Sequence, residues 1–402
     1  MTVCAIESVT EVGAVGRTGF TITADGAYAT RLTGDGKALF PERWTLDGPE
    51  PYAVPLPLDQ PEKPDSEVLP LADGRVLIRR KVAGGHAFSL LYPTGPATGE
   101  LPLGRVQSDQ PDQSDQSVRL LPPSPDGVCA YALAPGAKST VIWLVTGGEF
   151  GPQPVAEVPG RCSGGVWLDR TGRMLALDRR LDGDSPVKTV AVDLRRGGEV
   201  TPLLQITDES DDRVLLAAPD SGLLLIRSNA PGHDRLGWGV LGSLRPVRFP
   251  ECLRLADCAV TPFAVQPGQA LMPENCAVAL RIDGAAGSWL GLWRPAERRL
   301  HQLTAPSGWL AGAGLWTPEG VLRLPYVTGA VPCGVARMGA PQDTFTPDAT
   351  VTATAPAEPV RKAPPKPVEP VGPVAEPAAA VCKPVPLQQA PLTGRRAPAS
   401  RA

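Results

Sequence analysis

Three short acidic segments hold the side chains best placed to do chemistry. They contain Asp59, Glu62 and Asp65, then Asp109, Asp112 and Asp115, and then Asp208, Glu209, Asp211 and Asp212. Clustered carboxylates attract cations and basic protein segments, so these residues are candidates for binding a basic partner. The alternative is a plain solvated loop, because such loops are rich in Asp and residues 108–117 have the low complexity of a spacer. The sequence leaves both interpretations open.

No constellation of catalytic residues is visible in the sequence. A Gly-x-Ser-x-Gly motif is absent, and the nearest fragment, residues 160–164, has the wrong spacing for a nucleophilic serine. The histidines His86, His233 and His301 are far apart and lack metal-binding spacing. His86 and His233 follow equivalent strands and could converge across a ring, but we interpret both as solvated loop residues. We therefore predict no catalytic residue, no metal ligand and no cofactor, although groups distant in sequence could still converge in the fold.

The elements that must position these residues follow from a repeat. Seven turn signals, each ending in a glycine, recur 45 to 53 residues apart. They are Asp25-Gly26, Asp73-Gly74, Asp126-Gly127, Thr171-Gly172, Ser221-Gly222, Pro267-Gly268 and Glu319-Gly320. Most are flanked by short apolar runs, which is typical of a two-stranded hairpin. A period of about 40 to 50 residues is typical of propeller blades.

Each repeat has room for four strands. A second glycine recurs about ten residues after each turn, and a large apolar residue follows on the predicted third strand. The glycines are Gly36, Gly84, Gly136, Gly183, Gly232, Gly284 and Gly329, and the apolar residues are Trp44, Leu91, Trp143, Val190, Trp238, Trp289 and Trp293. A polar turn then precedes a fourth apolar run. Four strands make a propeller blade, so we predict an all-β, seven-bladed β-propeller over residues 1–340.

The two ends of the chain complete this prediction. The seventh repeat is one strand short, and the apolar residues 3–9 could complete its sheet and close the ring. Residues 341–402 are rich in Pro and Ala, so we expect a disordered tail. Within it, Arg361, Pro364 and Pro367 have the spacing of a polyproline II docking motif, which a proline-rich composition also produces by chance.

Composition excludes several classes of partner and site. The net charge of −3 argues against nucleic acid, which needs clustered Lys and Arg. No apolar run is long enough to cross a bilayer, and the first residues do not resemble a secretion signal. The eight cysteines are scattered singly, which fits free thiols in a reducing cytoplasm. We expect a cytoplasmic monomer.

The repeat resembles the blades of TolB-type and prolyl-oligopeptidase-type propellers. The resemblance rests on an apolar run, an Asp-Gly turn, a second apolar run and a later turn into a third strand, and it covers residues 1–338. No Trp-Asp dipeptide of the WD type closes a repeat. The oligopeptidases carry a hydrolase domain, whereas only the Pro-rich tail follows here. The resemblance therefore implies a ring of blades and not a peptidase.

Function is predicted mainly from what the sequence lacks. The first hypothesis is a non-enzymatic binding or scaffold protein that holds a protein or peptide partner on one propeller face. The second is a metal-dependent hydrolase, lactonase-like enzyme or lyase with its site at the channel mouth. Calcium in lactone-hydrolysing propellers often uses asparagine, and only Asn229 and Asn275 occur here. The third is a ligand sensor linked through its tail to another component.

Overall fold

The computed structural model describes residues 19–35, 38–107, 118–268 and 271–340, and these residues form a seven-bladed β-propeller. Every sheet is an antiparallel meander in which neighbouring strands are consecutive in the chain. Blade 1 contains β1 (Phe20–Ile22), β2 (Tyr28–Thr33), β3 (Phe40–Thr45) and β4 (Tyr52–Pro55). Blade 2 contains β5 (Glu67–Pro70), β6 (Val76–Val82), β7 (Gly85–Pro93) and β8 (Thr98–Gln107).

The remaining blades follow the same order. Blade 3 contains β9 (Arg119–Leu120), β10 (Ala130–Pro135), β11 (Ser139–Thr146) and β12 (Gln153–Pro159). Blade 4 contains β13 (Arg161–Trp167), β14 (Met174–Arg180), β15 (Lys188–Asp193) and β16 (Glu199–Leu204). Blade 5 contains β17 (Asp212–Ala217), β18 (Leu223–Ser228) and β19 (Arg235–Val240). Blade 6 contains β20 (Ala259–Val265), β21 (Val278–Gly284), β22 (Gly287–Trp293) and β23 (His301–Leu303). Blade 7 contains β24 (Leu315–Trp316), β25 (Val321–Tyr326) and β26 (Gly334–Gly339).

Helical structure among the described residues is confined to three single turns of 3-10 helix. They are Leu194–Arg196, Glu251–Leu253 and Pro273–Asn275. Within the same residues, no helix has the length and apolar character required to cross a membrane. The all-β prediction is confirmed.

The predicted repeat matches the strands. All seven turn signals lie between the first and second strands of a blade, and six of the seven second glycines lie at the turn between the second and third strands. Gly36 lies outside the described residues. Each turn glycine has a positive φ, such as 81° at Gly74, a conformation that glycine adopts without the steric cost of a side chain. The large apolar residues all lie on third strands.

One blade departs from the prediction of four strands. After β19, blade 5 continues with a single bridge between Trp238 and Arg248 rather than a fourth strand. Pro246 and Pro250 flank that bridge, and proline has no N–H to donate to a sheet ladder. Blade 7 has three described strands, as expected from its short repeat, while the predicted partner segment at residues 3–9 lies outside the described residues.

The hydrophobic core is divided among the interfaces between blades. Seven clusters of buried side chains occur in the described chain, and each combines residues of two neighbouring blades. Blade 2 contributes Leu77 and Leu90 against Leu120 of blade 3, for example. Blade 1 contributes Phe20 and Trp44 against Ala313 of blade 7, so packing of the first blade on the last closes the ring.

Strand alternation determines which loops share a face. Connections from one blade to the next and turns between second and third strands lie at the same end of the blades, because neighbouring strands are antiparallel. We call this end the upper face. The Asp-Gly turns and the turns between third and fourth strands form the lower face. The first and third acidic segments therefore belong to upper-face connections.

Candidate functional site

The upper face has a polar cleft between blades 4 and 5. It encloses about 320 Å³, and we call it the polar cleft. Its lining residues are Arg180, Gly183, Asp184, Ser185, Pro186, Glu209, Asp211 and Asn229. Three carboxylates face one guanidinium in this set, so the cleft has an excess of negative charge. Two of the sequence-predicted residues, Glu209 and Asp211, are brought together here.

One wall of the polar cleft is fixed by hydrogen bonds between blades. The Val187 N–H donates to Asp211 Oδ1 at 2.7 Å, and the Asp211 N–H donates to Asn229 Oδ1 at 2.8 Å. Asp211 belongs to the connection between the blades, whereas Val187 and Asn229 lie in the turns between the second and third strands of blades 4 and 5. The position of this carboxylate is therefore set before any ligand arrives.

Asp212, beside the polar cleft, has a different role. Its side chain is 0% exposed and binds Lys188 Nζ at 2.9 Å. The hydroxyls of Ser210 and Ser228 donate to it at 2.6 to 2.9 Å, and the Ile206 N–H donates at 2.9 Å. Burial disfavours its charge, but these bonds outweigh burial and the pKa of Asp212 is lowered. Asp212 therefore holds the loop together and is inaccessible to a partner.

The first acidic segment divides in the same way. Asp59 and Asp65 are exposed, whereas Glu62 is 8% exposed. The Arg80 guanidinium donates to both oxygens of Glu62 at 2.7 to 3.0 Å, so this carboxylate is also used within the fold. In the third segment Asp208 is exposed, with Gln205 Nε2 donating to its Oδ1 at 2.8 Å.

The second acidic segment, with Asp109, Asp112 and Asp115, lies outside the described residues. Partner binding by the exposed acidic residues stays a prediction. For Glu62 and Asp212 the geometry supports a structural role, because both side chains are buried and form ion pairs within the fold.

His86 differs from the expectation of a solvated loop residue. It is 3% exposed and lies near the upper end of β7, where Arg79 Nη1 and His86 Nδ1 are 2.8 Å apart. Because Arg79 can only donate, Nδ1 must accept and the imidazole is neutral. Burial, together with the charges of Arg79 and Lys81, lowers the pKa of His86 to about 4. His233 is exposed, as expected.

Asp178 is a buried carboxyl that the sequence did not single out. It lies on β14, where Thr189 Oγ1 donates to its Oδ1 at 3.0 Å and Arg213 Nη1 of blade 5 lies 3.4 Å from its Oδ2. Burial raises the pKa of Asp178 to about 6, despite the opposing charge of Arg213. The sequence marks Asp178 only as an acidic residue near the end of an apolar strand. Because many solvated strand ends have the same pattern, it does not reveal that Asp178 is buried.

A larger cleft lies on the upper face between blades 6 and 7. It encloses about 590 Å³, is flanked by Trp289 and Trp309, and contains no charged lining residue; we call it the aromatic cleft. The Trp289 indole N–H donates to Gln302 Oε1 at 2.9 Å, and the Trp309 indole N–H donates to the Ala313 carbonyl at 2.9 Å. The sequence analysis placed Trp289 on a predicted third strand and did not consider Trp309.

Among the described residues, no group of three or more His, Cys, Asp or Glu side chains is arranged to hold a metal ion. Groups from different blades meet instead in ion pairs such as that of Asp178 with Arg213. What the upper face offers is two open clefts, one acidic and one aromatic.

The fold of this protein is a seven-bladed β-propeller, and solved structures similar to it include β-propeller proteins. Apo prolyl oligopeptidase B from Galerina marginata is 11% identical, with 78% of this chain and 45% of that chain covered at a TM-score of 0.47. The propeller domain of the trilobed protease from Pyrococcus furiosus is 8% identical. The match covers 81% of this chain and 96% of that domain at a TM-score of 0.48. A putative TolB from Agrobacterium tumefaciens is 14% identical. The match covers 71% of this chain and 90% of that chain at a TM-score of 0.35.

The expected resemblance is thereby confirmed at the level of fold. The chain spans less than half the length of the prolyl oligopeptidase that it matches. No protein-family model matches the chain, and no curated protein matches it.

Proposed function

We propose that this protein is a non-enzymatic binding protein that holds a peptide segment of a protein partner on its upper face. The observation that carries the proposal is the aromatic cleft. Its volume of about 590 Å³ lies within the range of sites that bind small ligands or peptide side chains, about 300 to 1,000 Å³. Partly exposed tryptophans are enriched in binding surfaces, since they offer a large contact area at little cost in side-chain entropy.

The polar groups of the aromatic cleft also suit a peptide. The bond between the Trp289 indole and the Gln302 side chain is exposed. Exchanging it for a bond to a peptide carbonyl leaves no buried group unsatisfied, because the Gln302 amide can turn to water. The Trp309 indole bonds to a backbone carbonyl of its own chain, which fixes the ring before binding. One wall is thus adaptable and the other is rigid.

The polar cleft supports a preference for a basic partner. Asp184, Glu209 and Asp211 outnumber Arg180 on its lining. Complementary charge raises the rate of encounter and selects among partners more than it raises affinity. A cytoplasmic location belongs to this proposal and is supported by the six free cysteines of the described chain, which suit a reducing compartment. A monomeric state is part of the same proposal.

Peptide selection tests the proposal. Random peptides displayed on phage are selected on the full-length protein, and the Kd of the best binder is measured by fluorescence anisotropy. Trp289→Ala and Ala305→Trp should each weaken binding at least tenfold, since the first removes an anchor and the second fills the cleft. Removal of an anchoring aromatic typically costs about 2 kcal/mol or more. The selected peptides should also be enriched in Lys and Arg.

Phe150→Ala provides a matched control. Phe150 is 78% exposed in the turn between β11 and β12, on the lower face. This variant should bind like the wild type, and circular dichroism should show that all variants retain the fold. Equal affinity for the wild type and both cleft variants would refute the assignment to the aromatic cleft, and failure to select any peptide would refute peptide binding.

A further inference from the structure

The walls of the aromatic cleft are two tryptophan rings that the fold holds in place. Trp289 lies near the upper end of β22 and packs closely on Gly284, where a Cβ atom would lie 2.9 Å from the indole. Trp309 follows β23 in the chain and packs on the ring of Phe263, with 5.6 Å between the ring centroids. Both indoles are partly exposed, and Pro306 belongs to the same lining. The cleft therefore presents fixed apolar surfaces before a ligand arrives.

The lining of the aromatic cleft is uncharged. Asp283 contacts this lining, because the hydroxyl of Ser288 donates to its Oδ1 atom. Arg281 Nε donates to the same oxygen at 2.8 Å, so this carboxylate already has a counter-ion within the fold. The cleft consequently favours a ligand segment that carries no charge.

The side chains of the lining offer hydrogen-bond donors. The Trp289 indole can only donate, so the side-chain oxygen of Gln302 must face it and the Gln302 NH₂ group faces away. Gln302 and Thr304 are exposed, and within the described chain neither this NH₂ group nor the Thr304 hydroxyl has a protein partner. Both groups can therefore donate to the carbonyl oxygens of a bound segment.

A proline-rich segment matches these features. Proline has no backbone N–H, so such a segment brings carbonyl acceptors and few donors of its own. Its polyproline II conformation has no internal hydrogen bonds, which leaves the carbonyls available to donors on the lining. The conformation is also formed before binding, and aromatic-lined grooves recognise it. A segment of other residues would bring N–H groups that these side chains match less well.

We propose that the aromatic cleft binds a proline-rich segment of a protein partner in the polyproline II conformation. This inference rests on the proposed function and specifies the class of peptide. Proline rings pack against Trp289 and Trp309, and carbonyl oxygens of the segment accept from the Gln302 NH₂ group and the Thr304 hydroxyl. The segment is neutral where it contacts the cleft, because the lining offers it no opposite charge.

Fluorescence anisotropy with the full-length protein tests the class of peptide. The probes are two labelled decapeptides, one of proline and one of alternating glycine and serine, together with the best binder from the phage selection. The proline decapeptide should bind saturably. The glycine-serine decapeptide should bind at least about tenfold more weakly, since it lacks both the rings and the preformed conformation. Replacing the prolines of the selected peptide by alanine should weaken its binding by about the same factor.

Two variants with the same change of charge test the donor role of Gln302. Gln302→Glu keeps an oxygen for the Trp289 indole but replaces the NH₂ group by an oxygen, which repels a carbonyl. This variant should bind the proline decapeptide several-fold more weakly. Gln107→Glu makes the same change at an exposed residue of β8 in blade 2 and should bind like the wild type. Circular dichroism should show that both variants retain the fold.

The possible results separate the class of peptide from peptide binding itself. Suppose that the selected peptide binds Trp289→Ala weakly, yet contains no proline or tolerates replacement of its prolines, and that the proline decapeptide does not bind. The cleft then binds another class of peptide, which overturns the proline-rich assignment and leaves the proposed function standing. If no peptide binds, both are overturned. Equal binding of the proline decapeptide by Gln302→Glu and Gln107→Glu would overturn the role of Gln302 as a donor.

Discussion

Replacing Asp212 by Asn is the sharpest test of how the connection between blades 4 and 5 is held. The Asp212 Oδ2 atom accepts bonds from Lys188 Nζ at 2.9 Å, the Ile206 N–H at 2.9 Å and the Ser210 hydroxyl at 2.8 Å. Asparagine has the same shape but offers one acceptor oxygen. If that oxygen keeps the contacts with Lys188 and Ile206, the NH₂ group takes the place of Oδ1 and faces the hydroxyls of Ser210 and Ser228, which donate to the carboxylate and would have to turn round to accept.

The expected loss follows from these contacts. A hydrogen bond to a charged group contributes about 1.5 to 3 kcal/mol, and a buried polar group left without a partner costs about 1 to 3 kcal/mol. Lys188 keeps the carbonyls of Thr207 and Ser210 as partners, which limits the damage. We expect Asp212→Asn to lower the free energy of unfolding by about 3 kcal/mol, at the lower end of the range for a broken buried ion pair.

Urea unfolding followed by tryptophan fluorescence measures this change. Asp208→Asn is the matched control, since Asp208 is exposed in the same connection, and it should change stability by less than about 0.5 kcal/mol. The folded-state pKa of Asp212 is lowered, so its contribution is complete above about pH 4 and is lost as the pH falls through the folded value. The difference between wild type and variant should therefore narrow below about pH 4. Equal stability of both variants at pH 7 would refute this account of the connection.

Three further substitutions test other parts of the fold. Because the pKa of Asp178 is raised to about 6, urea titrations should show the stability of wild type relative to Asp178→Asn falling by about 2 kcal/mol as the pH rises from 4 to 7. Because the pKa of His86 is lowered to about 4, the stability of wild type relative to His86→Gln should fall by about 2 kcal/mol as the pH falls from 6.5 to 4. Gly74→Ala should lower the thermal midpoint, since φ is 81° and the new Cβ would lie 3.1 Å from the Tyr28 ring; an unchanged midpoint would contradict this.

The blades were predictable because their signals are local. A tight turn such as Asp73-Gly74 needs a residue that tolerates positive φ, and strands with large apolar residues such as Trp44 follow at fixed intervals. Repetition strengthens the inference, since seven copies of a weak pattern agree. Blade 5 shows where this inference fails. The repeat predicted a fourth strand there, but Pro246 and Pro250 disfavour a strand, and only a single bridge forms.

The site was less predictable because burial depends on which blades meet. Glu209 and Glu62 both appear as acidic residues of a connecting loop, yet one lines the polar cleft and the other is buried against Arg80. His86 follows a turn glycine as His233 does, yet only His86 is buried. The partners that decide these outcomes are on other strands, and sequence spacing does not reveal them.

By itself the sequence determined the class of fold, the number of blades and the face to which the connecting loops belong, because turn chemistry and strand alternation act over a few residues. Only the tertiary structure decided which charges are used internally, as Asp212 is by Lys188, and which are presented to solvent. It also placed Trp289 beside Trp309 in one cleft. The physical reason is closure of the ring, which brings together residues about fifty positions apart and determines the burial of each one.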